Sequence, residues 1–369
     1  MKIKFKLFDI YILLITFFKG LGATADNKMY ILVFLVGCVA IAMKLIQESF
    51  TLRELLYMGS ILAIGVMTYV VGKEDAVLFT GIALCGLKGV NAERIIRLSF
   101  WSCFVAFSIM ILSTTLGIVE NQVELFWRTD GFIDRYFFGY DHPNTAHLIF
   151  AILSIQALYL YGRQFKPVLY VLILFTNGML YQYTYSRTGM IMVVISVAFA
   201  VLLCFKYTKR AFMFVFQRVH LIILGVCIAL GLLYARIPAM QYLDTLVSGR
   251  LQYFYKILQQ APPILGVKEY ASINIDNGYL ALLYHGGLLA FCWFGFFILK
   301  STRRLVREKR YWDFFLVVCF ALFSLTESFL YSISLNISLI FIGEELFRRR
   351  ISHVTADDIH TDIQQGGTP

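Results

Sequence analysis

The chain has 369 residues, of which 59% are hydrophobic and 15% charged, with a mean hydropathy of +0.72 and a formal net charge of +10. Soluble domains average about 45–50% apolar and about 25% charged residues, so the composition excludes a water-soluble globular protein. Intrinsic disorder is excluded as well, because so apolar a chain gains far more free energy from burial than it loses in conformational entropy.

The apolar stretches predict a polytopic membrane protein made only of α-helices. A spanning helix needs about 20 apolar residues, so about 12 transmembrane helices fit the length. A barrel is disfavoured because the chain shows no strand-like alternation, and a helix satisfies its own backbone polar groups in lipid. The predicted spans are 5–23, 29–43, 55–72, 75–90, 96–118, 145–162, 167–184, 189–206, 220–236, 277–299, 312–330 and 332–346. The runs 75–90 and 332–346 are short, and whether they cross fully stays open.

The basic residues predict the orientation of these spans. With the amino terminus in the cytoplasm, alternate loops carry about 23 of the 33 basic residues, as the positive-inside rule requires. Both termini are then cytoplasmic, and the net charge reflects basic cytoplasmic loops of a protein embedded in the lipid bilayer, with no nucleic-acid partner. Residues 1–351 form a single membrane domain, and the polar segment 352–369 is expected to be a disordered cytoplasmic tail.

Two long outer loops, 119–144 and 237–276, are the expected seat of function, since long loops in compact proteins usually carry it. Apolar residues recur at helical spacing between Asp244 and Gln260, which predicts an amphipathic helix on the outer surface. The first loop ends in a group of polar residues, for which we weigh a site mouth against a solvated loop with a helix cap. This group contains Arg135, His142 and Asn144.

Two outer arginines are the sharpest candidates for binding. Arg187 stands between two apolar spans, where a charge usually faces a cavity or a partner, although a snorkelling arginine is the alternative. Arg250 follows a glycine at the start of the amphipathic segment. The guanidinium fork suits phosphate oxygens and stays charged in a low dielectric, so Arg187 and Arg250 are predicted to bind a lipid-linked diphosphate.

The order of four motifs resembles one family, the O-antigen polymerase and O-antigen ligase superfamily, and especially the polymerases of capsular or exopolysaccharide repeat units. These motifs are YSRTG at 185–189, SGRLQYFYKIL at 248–258, PPILGV at 262–267 and IDNGYLALLYHGGLLAF at 275–291. The segment GYDHPNTAH at 139–147 is similar to the segment with which these proteins precede a span. The resemblance covers roughly residues 130–300 by motif and the rest by topology.

The resemblance implies a class C-like membrane glycosyltransferase in the bacterial cytoplasmic membrane. Such a polymerase joins undecaprenyl-diphosphate-linked oligosaccharides on the outer face, with one as donor and one as acceptor. The resemblance implies no metal and no cofactor. It also implies that Arg187 and Arg250 bind the diphosphate that leaves the donor. A flippase and a chain-length regulator are further partners that the resemblance leaves open. The alternatives are a flippase or other transporter of lipid-linked oligosaccharide, and an O-antigen-ligase-like transferase.

One position departs from the ligases of the superfamily, which carry a histidine where this chain has Asp276. Asp276 is therefore the first candidate for the base that accepts the hydroxyl proton of the acceptor, and His142 is the rival. An N-cap is the ordinary alternative for the Asp276 and Asn277 pair. Glu327 is expected either to pair with an arginine or to join two helices. Further candidates for substrate binding are Arg135, Asn144, Tyr185, Asn277 and Tyr279, although an aromatic belt also explains the tyrosines.

Overall fold

The computed structural model describes residues 6–24, 27–128, 131–247, 249–267 and 275–348. The predicted tail at 352–369 lies outside these described residues. The described part is mostly helical, and one small sheet accompanies the helices. The helices are α1 Leu7–Gly20, α2 Lys28–Ile46, α3 Leu52–Gly72, α4 Ala76–Cys85, α5 Ala92–Thr115, α6 Pro143–Tyr161, α7 Pro167–Thr184, α8 Arg187–Cys204, α9 Lys206–Phe216, α10 Val219–Tyr234, α11 Pro238–Leu246, α12 Arg250–Leu258, α13 Gly278–Tyr284, α14 Gly287–Arg307, α15 Tyr311–Phe323 and α16 Ile340–Leu346.

Five helices within the described residues are long and apolar enough to cross a membrane, namely α2, α3, α5, α8, and α6 with the 3-10 turn that follows it. A sixth span results if α9 and α10, which meet at a bend of 48°, count as one. Helices α4 and α15 are apolar but shorter. The helix α6 lies deepest, because 72% of its apolar stretch is buried against 28–39% for the others. The structure supports a helical membrane protein, and the count of about 12 spans stays a prediction.

The stretch predicted as one span at 277–299 is two helices, α13 and α14. The chain breaks at Gly287, whose φ of +80° suits glycine alone. The turn that follows α12 fills the break: the N–H groups of Leu288 and Leu289 donate to the carbonyls of Pro263 and Ile264 at 2.8 and 3.1 Å. A Cβ on Gly287 would lie 2.7 Å from the backbone of that turn. The segment Pro263–Gly266 thus packs into the break between α13 and α14.

Three other predicted elements differ in extent. The helix expected over 312–330 ends at Phe323, and the run 332–346 forms a 3-10 turn at Ile337–Leu339 followed by the short α16. The segment predicted as the first outer loop, in a chain predicted to contain α-helices alone, contains an antiparallel hairpin of β1 Val123–Arg128 and β2 Gly131–Tyr136. The two strands pair their backbone groups with each other, so the hairpin satisfies these groups within the segment.

An ion-pair network joins α14, α15 and α16 at the end of the bundle opposite Gly287. Glu344 accepts from Arg304 Nη2 at 2.5 Å and from Arg310 Nη1 at 2.7 Å. Arg310 also forms an ion pair with Asp313, and Lys300 Nζ lies 3.2 Å from Glu345 Oε1. Arg304 is buried, so its charge depends on these carboxylates for compensation.

The variant Glu344→Gln should therefore lower the free energy of unfolding by about 2 kcal/mol, since it removes the charge that two arginines share. Glu308→Gln is the matched control, because Glu308 meets Arg304 and Arg310 at only 4.0 and 3.9 Å from an exposed position. Its effect should stay within about 0.5 kcal/mol. Thermal unfolding of the purified proteins in detergent measures both, and equal shifts would contradict the role given to Glu344.

Candidate functional site

Arg250 is the first residue of α12, and the residues before it determine where that helix begins. The amphipathic helix predicted for Asp244–Gln260 is broken into α11 and α12 at Gly249, whose φ is +80°. The buried Asp244 carboxylate accepts from the N–H groups of Leu251 and Gln252 at 2.7 and 3.2 Å. Asp244 thereby satisfies the first turn of α12 across the break. This residue was missed in the sequence, because its capping partner is seven residues away instead of three.

The other face of α12 packs into the bundle. Leu251, Phe254 and Ile257 are buried, and they recur at helical spacing. Gly231 of α10 allows the close approach, since a Cβ there would lie 2.5 Å from Leu258 Cδ1. The helix that carries Arg250 is thus held at one end by a carboxylate and along one side by apolar contacts.

The guanidinium of Arg250 meets three separate segments of the chain. Its Nη1 donates to Thr188 Oγ1 at 3.0 Å, at the start of α8. Its Nη2 lies 3.7 Å from Asp276 Oδ2, just before α13, and 3.9 Å from Glu327 Oε1, in the loop after α15. Direct charge-assisted hydrogen bonds measure about 2.7–2.9 Å, so these two carboxyl groups lie close to the positive charge without saturating its donors. The Arg250 side chain is 17% exposed.

The two acidic segments are joined to each other by buried hydrogen bonds. Asn277 Nδ2 donates to the Leu325 carbonyl at 2.8 Å, and the Gly278 N–H donates to the Ser324 carbonyl at 2.7 Å. The Asn277 side-chain oxygen also accepts from the first N–H groups of α13, as the N-cap alternative foresaw. Asn277 is fully buried, so it positions Asp276 and Glu327 and lies out of reach of a sugar.

Glu327 has an unusual proton affinity for a glutamate. Burial raises the pKa of its carboxyl to about 8, the nearby Arg250 charge lowers the pKa, and the Asp276 carboxylate raises the pKa further. At pH 7 this carboxyl is therefore mostly protonated and neutral. The net charge of the group formed by Arg250, Asp276 and Glu327 then depends on pH near 8.

Arg187 lies at the same place in the fold, as the first residue of α8 and the neighbour of Thr188. It is exposed. Because adjacent Cα atoms are about 3.8 Å apart, the two predicted arginines belong to segments in direct contact. In the described residues, α8 receives no side-chain cap from Ser186, so its first N–H groups and the positive end of its dipole add to the positive potential beside Arg250.

The tight turn before Arg187 depends on a buried histidine in α6. His147 Nδ1 lies 3.0 Å from Thr184 Oγ1, and its Nε2 lies 2.8 Å from Asn177 Oδ1. Gly189 lets the histidine ring approach, because a Cβ there would lie 2.6 Å from His147 Cδ2. Tyr185 takes the left-handed conformation with φ +49° at the turn. The YSRTG motif is thus explained in part by packing against His147.

Arg135 is buried and joins the hairpin to two helices. Its Nε donates to the Thr184 carbonyl at 3.0 Å, its Nη2 to Asn144 Oδ1 at 2.6 Å, and its Nη1 pairs with Glu124 at 3.4 Å. Three of its nitrogens therefore already have protein partners, as does the Asn144 oxygen. These contacts favour a structural role over the predicted contact with substrate.

His142 caps α6, where its Nδ1 accepts from the Asn144 N–H at 3.1 Å. Burial and the Arg135 charge lower the pKa of His142, whereas the Glu124 and Asp276 carboxylates raise the pKa. A neutral imidazole that accepts at Nδ1 carries its proton on Nε2, so it offers no free lone pair to an incoming proton. The occupied Nδ1 of His142 therefore favours Asp276 as the base.

Tyr279 lies away from this neighbourhood. It is buried, and its hydroxyl lies 2.9 Å from His220 Nδ1 inside the bundle. Tyr185 is partly exposed and packs against the Tyr181 ring at 5.8 Å. Of the two tyrosines predicted to bind substrate, Tyr185 lies two residues before Arg187, whereas Tyr279 is buried inside the bundle.

No group of three His, Cys, Asp or Glu side chains that suits a metal ion exists in the described part of the chain. The metal-free reaction that the resemblance implies stays a prediction. Comparison of the chain with protein-family models, with curated proteins and with solved structures finds no match. The assignment of function therefore depends on the residues themselves.

The variant Asp244→Ala should destabilise the chain by about 1 kcal/mol, because two N–H groups of α12 lose their acceptor. Asp244→Asn keeps a capping oxygen and is expected to lose only a few tenths of a kcal/mol. Thermal unfolding of both purified variants, compared with the unchanged protein, measures the difference. If alanine and asparagine behaved alike, Asp244 would not be the cap that positions Arg250.

Proposed function

We propose that the chain is a membrane glycosyltransferase that polymerises undecaprenyl-diphosphate-linked oligosaccharide repeat units on the outer face of the cytoplasmic membrane. The product is a capsular polysaccharide, an exopolysaccharide or an O-antigen. One observation carries the proposal: the Arg250 guanidinium lies between Asp276 and Glu327 at ion-pair distance and touches Thr188, the neighbour of Arg187. The reaction requires cations that bind the diphosphate and a carboxylate base that lies beside these cations.

The diphosphate of the donor would bind between Arg250 and the first turn of α8. Arg250 keeps donors that its carboxylate partners do not saturate, and Arg187 adds a second exposed cation. The uncapped first turn of α8 contributes N–H groups and the positive end of its dipole. A diphosphate that leaves the sugar gains negative charge, so these groups stabilise the transition state more than the bound donor.

The transfer exchanges one bond to the anomeric carbon for another. A hydroxyl oxygen of the acceptor sugar forms the new C–O bond, and its proton passes to the Asp276 carboxylate. The bond between the anomeric carbon and the diphosphate oxygen breaks, and undecaprenyl diphosphate leaves with the electron pair. Asp276 and Arg250 are neighbours at 3.7 Å, so the base and the cation that holds the leaving diphosphate would both lie beside the reacting carbon.

Glu327 would assist through its proton. With a pKa of about 8, its carboxyl is neutral at pH 7, so Arg250 faces a single ionised carboxylate and keeps net positive charge for the diphosphate. A protonated carboxyl also donates a hydrogen bond, which an ionised one cannot do. Deprotonation above pH 8 removes both contributions.

Arg250→Ala and Arg187→Ala should each lower the polymerisation rate at least a hundredfold, because each removes a cation from the developing charge. Purified protein in liposomes with lipid-linked repeat units as the sole substrate gives the rate from the product-length ladder. Arg236→Ala is the matched control, an exposed arginine between α10 and α11 that should leave the ladder unchanged.

Normal ladders from both arginine variants would overturn the assigned roles. The same assay separates polymerisation from transport, since it contains no ion gradient and reads covalent products. It also separates a polymerase from a ligase, because it supplies no second type of acceptor. Single repeat units that are left unextended by the unchanged protein would contradict the proposal as a whole.

The polymerisation rate should fall as the pH rises through about 8, because the Glu327 carboxyl then ionises and competes with the diphosphate for Arg250. Glu327→Gln keeps a neutral side chain and should extend activity to higher pH while retaining most of the rate at pH 7. The pH–rate profile of both proteins measures this.

Stability gives an independent readout of the same proton. The folded chain binds a proton at Glu327 that the unfolded chain releases near the ordinary glutamate pKa, so stability declines as the pH rises from that value through about 8. Glu327→Gln should remove this slope. If the alkaline fall of the rate and the decline of stability with pH both persisted in Glu327→Gln, they would belong to another titrating group.

A further inference from the structure

A second site of defined chemistry lies at the opposite end of α14, far from Arg250. A cavity of about 280 Å³ opens there between the start of α10 and the last turns of α14. Arg218, Arg303 and Arg307 line it together with Gln217. We call it the basic cavity. Arg303 and Arg307 are four residues apart, so they project from one face of α14 toward the cavity.

These three arginines differ from the neighbouring Arg304 because they form no ion pair with a carboxylate of the described residues. Among the residues that the structure describes, no carboxylate lies within 4.0 Å of Arg218, Arg303 or Arg307. Arg304, the next residue along α14, pairs with Glu344 and Glu345. The network of acidic residues at this end therefore compensates one face of α14 and leaves the face at the basic cavity positive.

An apolar cavity of about 100 Å³ continues from the basic cavity toward the middle of the bundle. The two share Leu221 and Leu299 in their walls. Along α14 the lining residues change from Phe291, Gly295 and Ile298 to Arg303 and Arg307, so one helical face is apolar for two turns and then basic. The combined space is amphipathic along its length.

We propose that this space binds an anionic glycerophospholipid, with the phosphate among the three arginines and the beginning of one acyl chain in the apolar cavity. Three clustered guanidinium groups at a membrane boundary match a phosphodiester in charge and in hydrogen-bond geometry. A free phosphate ion would use the basic cavity alone and would leave the adjoining apolar wall without a partner. The basic loops place this end of α14 at the cytoplasmic leaflet, where anionic lipids are available.

The test uses the full-length protein in detergent and measures lipid binding by native mass spectrometry. The probes are phosphatidylglycerol, phosphatidylcholine and inorganic phosphate. The double variant Arg303→Gln/Arg307→Gln should bind phosphatidylglycerol about thirtyfold more weakly, since each arginine near an anionic headgroup contributes about fivefold to affinity. Arg210→Gln, an exposed arginine of α9 outside the cavity, is the matched control and should bind as the unchanged protein does.

Gly295→Leu tests the lipid chain separately from the phosphate. A Cβ on Gly295 meets no atom within 4 Å, and Gly295 lines the apolar cavity, so the leucine side chain is expected to occupy part of the space proposed for the acyl chain. This variant should bind phosphatidylglycerol more weakly, although all three arginines of the basic cavity are still present. Equal binding of phosphatidylcholine, unchanged binding by the double arginine variant, or competition by inorganic phosphate with no effect of Gly295→Leu would each overturn the proposal.

Discussion

The contact of the Arg250 guanidinium with Asp276, Glu327 and Thr188 is the interaction on which the account of this protein depends. A partly buried cation is costly unless charges or polar groups compensate it, and here the Asp276 carboxylate does so together with the polar Glu327 and Thr188 side chains, all from distant parts of the chain. The distances of 3.7 and 3.9 Å leave its donors available. A fully paired guanidinium would be a structural link, whereas this one is held in place and still able to bind an anion.

The supporting structure explains how so polar a group is kept in a fixed position. Asp244 and Gly249 define the start of α12, and Asn277 ties the Asp276 segment to the segment that carries Glu327. His147 and Gly189 shape the turn before α8. Each of these contacts is buried and satisfied, so the site is preorganised by residues that need never touch the substrate.

The sequence predicted the parts of this arrangement that depend on composition and local pattern. Apolar periodicity indicated the helices, and the isolation of Arg187 and Arg250 among apolar residues marked them as candidates. The breaks at Gly249 and Gly287 were not predicted, because glycine within an apolar run reads equally well as helix packing. The partners of Asp244, Arg135 and His147 were missed because they come from distant segments, and distance along the chain conceals contact in space. Asn277 and Tyr279, both predicted to bind substrate, are buried, and burial of a polar residue beside a candidate base cannot be read from the local sequence.

The most direct test of the central claim measures, by titration calorimetry, the binding of a soluble polyprenyl diphosphate analogue to the purified protein. The account predicts that the analogue binds more tightly than the matching monophosphate, and that Arg250→Lys loses this preference because a point charge cannot replace a bidentate fork. Equal affinity for the two analogues, or a preference that the lysine variant retains in full, would contradict the claim that Arg250 grips a diphosphate.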